Sequence, residues 1–175
     1  MPGENGAPVS KAFTKEDAGE EAPLARARPE GRRPLTPEGH ARALGEVARL
    51  REQERPRLLR DPSPGGRDQL RALDSRLREL TSLLEVAEVV EAATEGGSAA
   101  FGAWVTTLDE AGQRGTVRLV GPDEADPRQG LVSVASPVGR ALLGRRPGDT
   151  ALVERPRGPT ELQVVAVRFH GGAGT

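Results

Sequence analysis

The chain has no cysteine and no tyrosine, and aromatic residues make up only 2% of its 175 residues. Without cysteine, disulfide bonds and thiolate metal sites are excluded, so the fold depends on packing alone, which suits a reducing cytoplasm. No apolar run reaches the length that a signal peptide or a membrane span needs. We therefore expect a soluble, cytoplasmic protein that does not bind a membrane.

A basic excess is also missing. The formal net charge is −1 for the whole chain, and by region it is 0 for residues 1–34, −2 for residues 35–95 and +1 for residues 96–175. Proteins that hold nucleic acid through its phosphates carry a clear excess of Lys and Arg. We therefore expect no direct sequence-specific binding of nucleic acid.

Residues 1–34 have few apolar side chains. They contain Gly, Pro, Ala and mixed charges, with little beyond Phe13 and Leu24 to anchor them. This apolar content is too low to offset the entropy that ordering would cost. We predict a disordered tail, and a short recognition segment around Phe13 is the alternative.

A helix is predicted to start after residue 35. Thr36 is a suitable N-cap, Pro37 suits the first helical position, and Glu38 favours the positive end of the helix dipole. Pro56 predicts a kink or an end of this helix. The apolar residues that recur on one side are Leu44, Val47, Leu50 and Leu58.

A second helix has a clearer pattern. Its leucines are spaced 3, 4, 3 and 4, as in the a/d seam of a coiled coil: Leu70, Leu73, Leu77, Leu80 and Leu84. Residues 60–66 between the helices cannot continue a helix and are short enough to reverse the chain. We predict an antiparallel coiled-coil hairpin over residues 35–95. An ordinary helical hairpin that buries its leucines against itself or a partner is the alternative.

The period changes from helical to strand-like after a flexible joint at residues 95–98. The predicted strands cover residues 103–108, 116–120, 131–135, 150–154 and 162–169, with one short helix over residues 137–143. The expected product is a small, mostly antiparallel sheet domain over residues 96–175, with Trp104 and Phe169 in its core. The fold class of the chain is therefore α+β.

The second domain resembles the C-terminal domain of the Gre transcription elongation factors. The resemblance covers about 70 residues and rests on collinear matches at 101–105, 120–121, Glu124, Ser133, 136–137, 140–143, 148–149 and a last strand that ends at Phe169. It implies an FKBP-like domain and a regulator of transcription elongation. It also implies bacterial RNA polymerase as the partner, bound at the rim of the secondary channel through the β′ subunit.

The resemblance implies a set of polymerase-binding residues. In Gre factors the turn that leads into the short helix docks on a coiled coil of the β′ subunit. The residues at this turn and helix are Ser133, Ser136, Pro137 and Arg140. Ala135 stands where better-known members have Asp or Asn, so one hydrogen bond to polymerase is absent or replaced. Asp123 and Glu124 are further candidates, and their alternative role is to cap and solvate a loop.

The predicted hairpin tip departs from the family. Gre factors carry an acidic Asp-x-x-x-Glu-Asn type motif there, whose carboxylates hold a second magnesium ion beside that of polymerase. In this chain Pro64 and Gly65 replace the Glu and Asn, and Arg60 and Arg67 flank the loop. Asp61 remains as a weak candidate ligand, because a hard cation needs several oxygen ligands. The hairpin is also shorter by roughly a dozen residues over its two strands together, or about 9 Å of reach at 1.5 Å per residue.

From this departure we predict no catalytic residue, no metal site, no cofactor and no enzyme activity, and hence a factor that regulates elongation without stimulating transcript cleavage. Two alternatives stay open. One is an active cleavage factor that uses a relocated carboxylate, Asp61 or Asp68. The other is a module of the same fold that binds an unrelated protein.

Overall fold

The structure is a computed structural model that describes residues 31–92, 97–154, 156 and 158–169. Most of the predicted tail, including Phe13, and residues 95–96 of the predicted joint lie outside the described residues. Within them, two helical segments precede a five-stranded sheet, so the fold is a mixed α and β fold. None of the helices in the described part is long and apolar enough to cross a membrane.

The first helical segment has three parts: α1 (Pro37–Arg49), a π-helical turn (Leu50–Glu54) and α2 (Arg55–Leu59). Thr36 is the N-cap, as predicted, and its hydroxyl accepts a hydrogen bond of 3.0 Å from the Gly39 amide. The Arg55 amide donates to the carbonyl of Leu50, one residue further back than in an α-helix. Pro56 lacks an amide proton and its ring crowds the preceding turn, which the wider π-helical turn accommodates. The predicted disruption at Pro56 is therefore a π-helical turn, and the helical segment continues to Leu59.

The second helical segment is α3 (Pro64–Val86). The prediction that residues 60–66 are non-helical is wrong for the second half of that range, because α3 already includes residues 64–66. Ser63 caps the helix by accepting a hydrogen bond of 3.0 Å from the Gly66 amide, and proline is favoured at the first helical position, where no amide donor is needed. The chain therefore reverses within residues 60–63.

Residues 37–86, called the arm below, enclose an apolar cluster between the two helical segments. The buried members are Ala43, Leu50, Leu58, Leu73, Leu77 and Leu80, with Val47, Leu70 and Leu84 packed against them. Leu44 is the exception to the predicted set, since it is 49% exposed. Ala43, Val47 and Leu50 follow the 4–3 spacing of a single helix face, and Leu44 lies one position outside that face.

A short parallel strand pair joins the two ends of the arm. β1 (Arg33–Leu35) precedes α1, β2 (Ala87–Val89) follows α3, and the Val90 amide donates to the Leu35 carbonyl at 2.8 Å. Leu35 is almost fully buried. The assignment of Arg33 and Pro34 to a disordered tail is therefore wrong, because both residues belong to β1.

The described residues from 97 onward, called the second domain below, contain five strands in the order β5-β4-β3-β7-β6. Their bounds are β3 (Trp104–Asp109), β4 (Arg114–Val120), β5 (Leu131–Ser133), β6 (Thr150–Val153) and β7 (Thr160–Arg168). All neighbours are antiparallel except β4 and β5, which are parallel. The helix α4 (Pro137–Leu142) packs its buried Leu142 into the core. Phe169 packs against this core as predicted, whereas Trp104 is half-buried with the Arg118 guanidinium over its ring.

Candidate functional site

The turn between β5 and α4 is held by its own hydrogen bonds. The Ser136 hydroxyl donates to the Ser133 carbonyl at 2.7 Å and accepts from the Gly139 amide at 3.0 Å. The Ser133 hydroxyl accepts from the Ala135 amide at 3.1 Å. A β-carbon on Gly139 would lie 2.0 Å from the Ser133 carbonyl oxygen, so α4 approaches the turn too closely for any other residue. Both serines therefore shape the turn.

The outer face of the same turn is formed by exposed side chains. Ala135, Pro137 and Arg140 are exposed, whereas Ser133 and Ser136 are half-buried. The Arg140 guanidinium donates to the Ala135 carbonyl at 2.7 Å, which fixes the side chain across the turn. This arrangement is a small rigid surface with one apolar ring and one cation. We call Ala135, Pro137 and Arg140 the turn surface.

Glu124, in the turn after β4, faces the arm and not the solvent. It is 9% exposed, and its two carboxylate oxygens accept hydrogen bonds of 2.6 Å from the amide and the hydroxyl of Thr36. Arg42 lies 3.6 Å from the same carboxylate. A β-carbon on Gly39 would overlap the Glu124 carboxylate, so this approach requires a glycine in the first turn of α1. Glu124 therefore fixes the start of the arm to the second domain.

Asp123 and Arg118 extend this contact between arm and domain. Asp123 pairs with Arg33, and its second oxygen is buried without a partner among the residues that the structure describes. Arg118 pairs with Glu38 at 2.9 Å. Burial alone would raise the pKa of Glu38, but its backbone hydrogen bond and the Arg118 guanidinium outweigh burial and lower that pKa. We call these contacts, together with the Thr36 to Glu124 hydrogen bonds, the junction.

An open cavity of about 410 Å³ lies beside the junction, where α1 and α3 face the turn after β4. Its wall contains Arg33, Arg42, Arg76, Glu46 and Asp123. The three arginines of the wall are all paired, since Arg76 lies 2.9 Å from Glu46, Arg33 pairs with Asp123 and Arg42 lies 3.6 Å from Glu124. The described lining of the cavity therefore offers no unpaired cation to an anionic ligand.

Asp61, the candidate metal ligand at the end of the arm, forms local contacts with the start of α3. Asp61 accepts a hydrogen bond of 3.0 Å from the Ser63 amide and packs against Gly66, where an added β-carbon would lie 2.5 Å from its Cγ. Hydrogen bonds from Ser63 lower the pKa of Asp61 and keep it charged. Across the described part of the chain, no three acidic or histidine side chains come together in a way that could hold a metal ion. These residues do not fit the magnesium ion that the Gre resemblance implies at the tip.

Together these features define a class of α+β protein in which a helical arm is attached, through a tight polar junction, to a curled five-stranded sheet. The family follows from comparison with known sequences. Residues 93–169 match the family model for the C-terminal domain of the transcription elongation factors GreA and GreB. GreA of Alkalilimnicola ehrlichii is 36% identical over 153 residues, which cover 78% of this chain and 97% of that protein. GreA of Cereibacter sphaeroides is 37% identical over 151 residues, with the same coverage. The chain belongs to the GreA/GreB family of transcription elongation factors.

Solved structures give weaker overall likenesses. GreA factor homolog 1 (Gfh1) of Thermus thermophilus is 30% identical, with 80% of this chain and 99% of that chain covered and a TM-score of 0.38. A GreA/GreB factor of Nitrosomonas europaea is 22% identical, covers 81% and 100% of the two chains, and also has a TM-score of 0.38. Superposition scores this low carry no structural conclusion, so the family assignment rests on sequence.

The comparisons correct one prediction. The prediction that the chain is not an enzyme is wrong, because it excluded every enzymatic role although the relatives of the chain are named transcription elongation factor GreA. The Gre resemblance links that family to magnesium-dependent cleavage of the transcript on polymerase. Membership of the family therefore removes the ground for excluding a part in enzymatic chemistry, and it supports a role in transcription elongation.

Proposed function

We propose that this protein regulates transcription elongation by binding bacterial RNA polymerase at the rim of the secondary channel. In this proposal the second domain is the FKBP-like docking domain, and the turn surface contacts the β′ subunit. The arm is a coiled-coil hairpin that enters the channel. Its shortened tip does not stimulate transcript cleavage in the manner of an acidic Gre tip.

The turn surface is the observation that carries the docking part of the proposal. Pro137 and Arg140 are exposed on a turn whose conformation is fixed by internal hydrogen bonds, so little entropy is lost when a partner binds. Ser133 and Ser136 act by shaping this surface. Asp123 and Glu124 face the arm, and their proposed part is to hold the arm at a fixed position relative to the docking domain.

The length of the arm supports the second part of the proposal. The match to the Alkalilimnicola protein runs over 153 residues and covers 78% of the 175 residues of this chain, which is about 137 residues. About 16 aligned positions of the Alkalilimnicola protein therefore have no counterpart in this chain. A loss of this size is consistent with a shortened arm. At the tip, Asp61 accepts a hydrogen bond from the Ser63 amide, and no group of three acidic or histidine side chains that could hold a metal ion forms among the described residues, which disfavours a magnesium ion.

Capture of purified bacterial core polymerase by the immobilised protein tests the docking surface. Replacing Pro137 and Arg140 together by Ala removes the exposed ring and the cation, and α4 is retained because its Ser136 cap remains. At about 1–3 kcal/mol for a well-placed interface residue, capture should weaken about tenfold or more. The double substitution Pro159→Ala and Arg114→Ala, at exposed positions elsewhere in the domain, is the matched control. Equal capture by the test variant and the control would contradict docking through the turn surface.

Cleavage is tested separately on a backtracked elongation complex. We expect no stimulation of transcript cleavage by the wild-type protein at polymerase-saturating concentration. The second candidate function, a cleavage factor with a relocated carboxylate, predicts stimulated cleavage that disappears in Asp61→Ala or Asp68→Ala. Stimulated cleavage that survives in both variants would contradict both functions, because the protein would then stimulate cleavage without Asp61 or Asp68.

A further inference from the structure

We propose that residues 13–24, called the tail segment below, dock on the second domain around α4 and cover the turn surface. The tail segment lies outside the described residues. We call the exposed side chains to which it binds the α4 surface; they are Pro137, Arg140, Leu143, Arg145 and Arg146. Because Pro137 and Arg140 also belong to the turn surface, the tail segment competes with any partner that docks there.

Positive charge is concentrated in the part of the second domain that contains α4. Residues 127–148 include four arginines and no aspartate or glutamate, a net charge of +4, although residues 96–175 as a whole are at +1. The remainder of residues 96–175 is therefore at −3. An anionic segment is attracted towards α4 and repelled from the rest of the domain.

The three arginines of the α4 surface form no ion pair with any residue that the structure describes. Arg140 donates to the Ala135 carbonyl at 2.7 Å, and Arg145 donates to the Ala141 carbonyl at 3.3 Å. Neutral carbonyls therefore position two of the guanidinium groups without balancing their charge. The arginines of the junction, by contrast, all lie beside carboxylates. The α4 surface is thus able to bind an anionic segment through three cations.

Apolar side chains lie among these cations. Pro137 is the first residue of α4, and Leu143, which follows the helix directly, is 39% exposed. At 1.5 Å per residue the two positions are about 9 Å apart along the helix axis. Arginine beside apolar side chains is a common composition of protein interfaces. The α4 surface therefore suits a short peptide that carries both acidic and apolar residues.

The tail segment has the complementary composition. It contains one lysine and four acids, a net charge of −3, with Phe13 at one end and Leu24 at the other. The acids are Glu16, Asp17, Glu20 and Glu21. Since residues 1–34 are neutral as a whole, the rest of that region is at +3 and is not attracted to the arginines. Charge complementarity of this kind selects one segment over its neighbours.

The described chain begins close to the turn that precedes α4. The Pro34 carbonyl oxygen lies against Gly121, and β4, which ends just before Gly121, pairs with β5, which leads into the turn. Residues 25–30 connect the tail segment to the described part and can span up to about 20 Å. A tether of this length keeps the segment at a high effective concentration beside α4. This favours the tail segment over a second copy of the chain as the occupant.

Competition with polymerase rests on the proposed function, whereas the contact between the tail segment and α4 does not. If the turn surface docks on polymerase, the tail segment has to leave it first. The apparent affinity then falls in proportion to the fraction of molecules in which the surface is free. Because salt screens pairs of exposed charges, the competition should weaken as the ionic strength rises.

Paramagnetic relaxation enhancement in the full-length protein tests the contact. The chain has no cysteine, so a nitroxide attached to Ala18→Cys labels only the tail segment. At low salt we expect the nitroxide to broaden the amide signals of residues 138–146. This broadening should decrease at moderate salt.

Two variants with the same change in charge are compared. The tail variant neutralises the four acids of the tail segment by Glu16→Gln, Asp17→Asn, Glu20→Gln and Glu21→Gln, and it should lose the broadening. The control neutralises four exposed acids that form no ion pair in the described part, by Glu52→Gln, Glu85→Gln, Glu91→Gln and Glu154→Gln. The control should keep the broadening of the wild type.

Reversal of charge on both sides identifies the contacting residues. Glu20→Arg with Glu21→Arg should abolish the broadening, and the further changes Arg145→Glu and Arg146→Glu should restore it. No broadening in the wild type, or equal broadening in the tail variant and the control, would overturn the proposal. Broadening that arises only between spin-labelled and spin-free copies would show that a second copy is the occupant, and it would also overturn the proposal.

Capture by core polymerase tests the competition. The tail variant should be captured at least about threefold more tightly than the wild type and the control, because a surface that is free in roughly a third of the molecules binds about three times more weakly. Equal capture of the three proteins would overturn the competition. If neither the wild type nor the tail variant is captured, the docking proposal fails, while the relaxation measurements still decide whether the tail segment binds the α4 surface.

Discussion

Replacing Glu124 by Ala should destabilise the protein strongly, because this side chain holds the arm to the second domain. The substitution removes two hydrogen bonds of 2.6 Å to Thr36, which is fully buried, and the ion pair to Arg42 at 3.6 Å. It leaves the Thr36 amide and hydroxyl without their acceptor. A hydrogen bond to a charged group contributes about 1.5–3 kcal/mol. We therefore expect a loss of roughly 3–5 kcal/mol in the free energy of unfolding.

Urea unfolding followed by far-ultraviolet circular dichroism measures this loss, and thermal unfolding should show a midpoint lower by at least about 6 °C. Glu85→Ala is the matched control, because Glu85 is exposed on α3, and its effect should stay within about 0.5 kcal/mol. Glu124→Gln keeps an acceptor of the same shape and should cost less than Glu124→Ala. A loss below about 1 kcal/mol for Glu124→Ala would refute the view that this carboxylate fixes the junction.

Two further predictions concern the same region. Gly121→Ala should lower the free energy of unfolding by about 2 kcal/mol or more, because the added β-carbon would lie 2.1 Å from the Pro34 carbonyl oxygen. Gly45→Ala should raise the free energy of unfolding by up to about 1 kcal/mol, because Gly45 lies in α1 with open space around it. Chemical unfolding of both variants checks this contrast, and similar free energies of unfolding for the two variants would contradict it. The pKa of Glu38 is lowered in the folded state, so its stabilising contribution is present at neutral pH and is lost as the pH falls from about 4.3, the usual value for Glu, through the lowered folded value. Arg118→Gln should reduce this acid-dependent loss, and unfolding curves at pH 7 and at acid pH would show an unchanged pH dependence if the pairing contributed nothing.

The sequence predicted the elements of the second domain because each carries a strong local signal. The strands predicted over residues 103–108 and 162–169 and the short helix predicted over residues 137–143 depend on residues close together in the chain. The Thr36 cap of α1 is of the same kind. The observed start of α3 differs from the predicted one because two local signals compete at Pro64: proline can end one helix or occupy the first position of the next.

The contacts between arm and domain were not predictable in this way. Thr36 and Glu124 are 88 residues apart, and nothing in the local sequence of either residue indicates the other. β1 and β2 are three residues each, too short for a periodic pattern, and they exist because they pair with each other. The one available signal was the presence of glycine at positions 39 and 121, because glycine permits a close approach but does not indicate which residue approaches.

The pairing of β1 with β2 couples the two helical segments of the arm where they meet the rest of the chain. Because both segments are connected to the same pair of strands, neither can rotate at this end without the other. The 23 residues of α3 span about 34 Å at 1.5 Å per residue, so a rotation of roughly 10° at this pair of strands moves the far end by about 6 Å. Small rearrangements among the junction side chains are thus magnified at the far end of the arm into displacements of several ångströms.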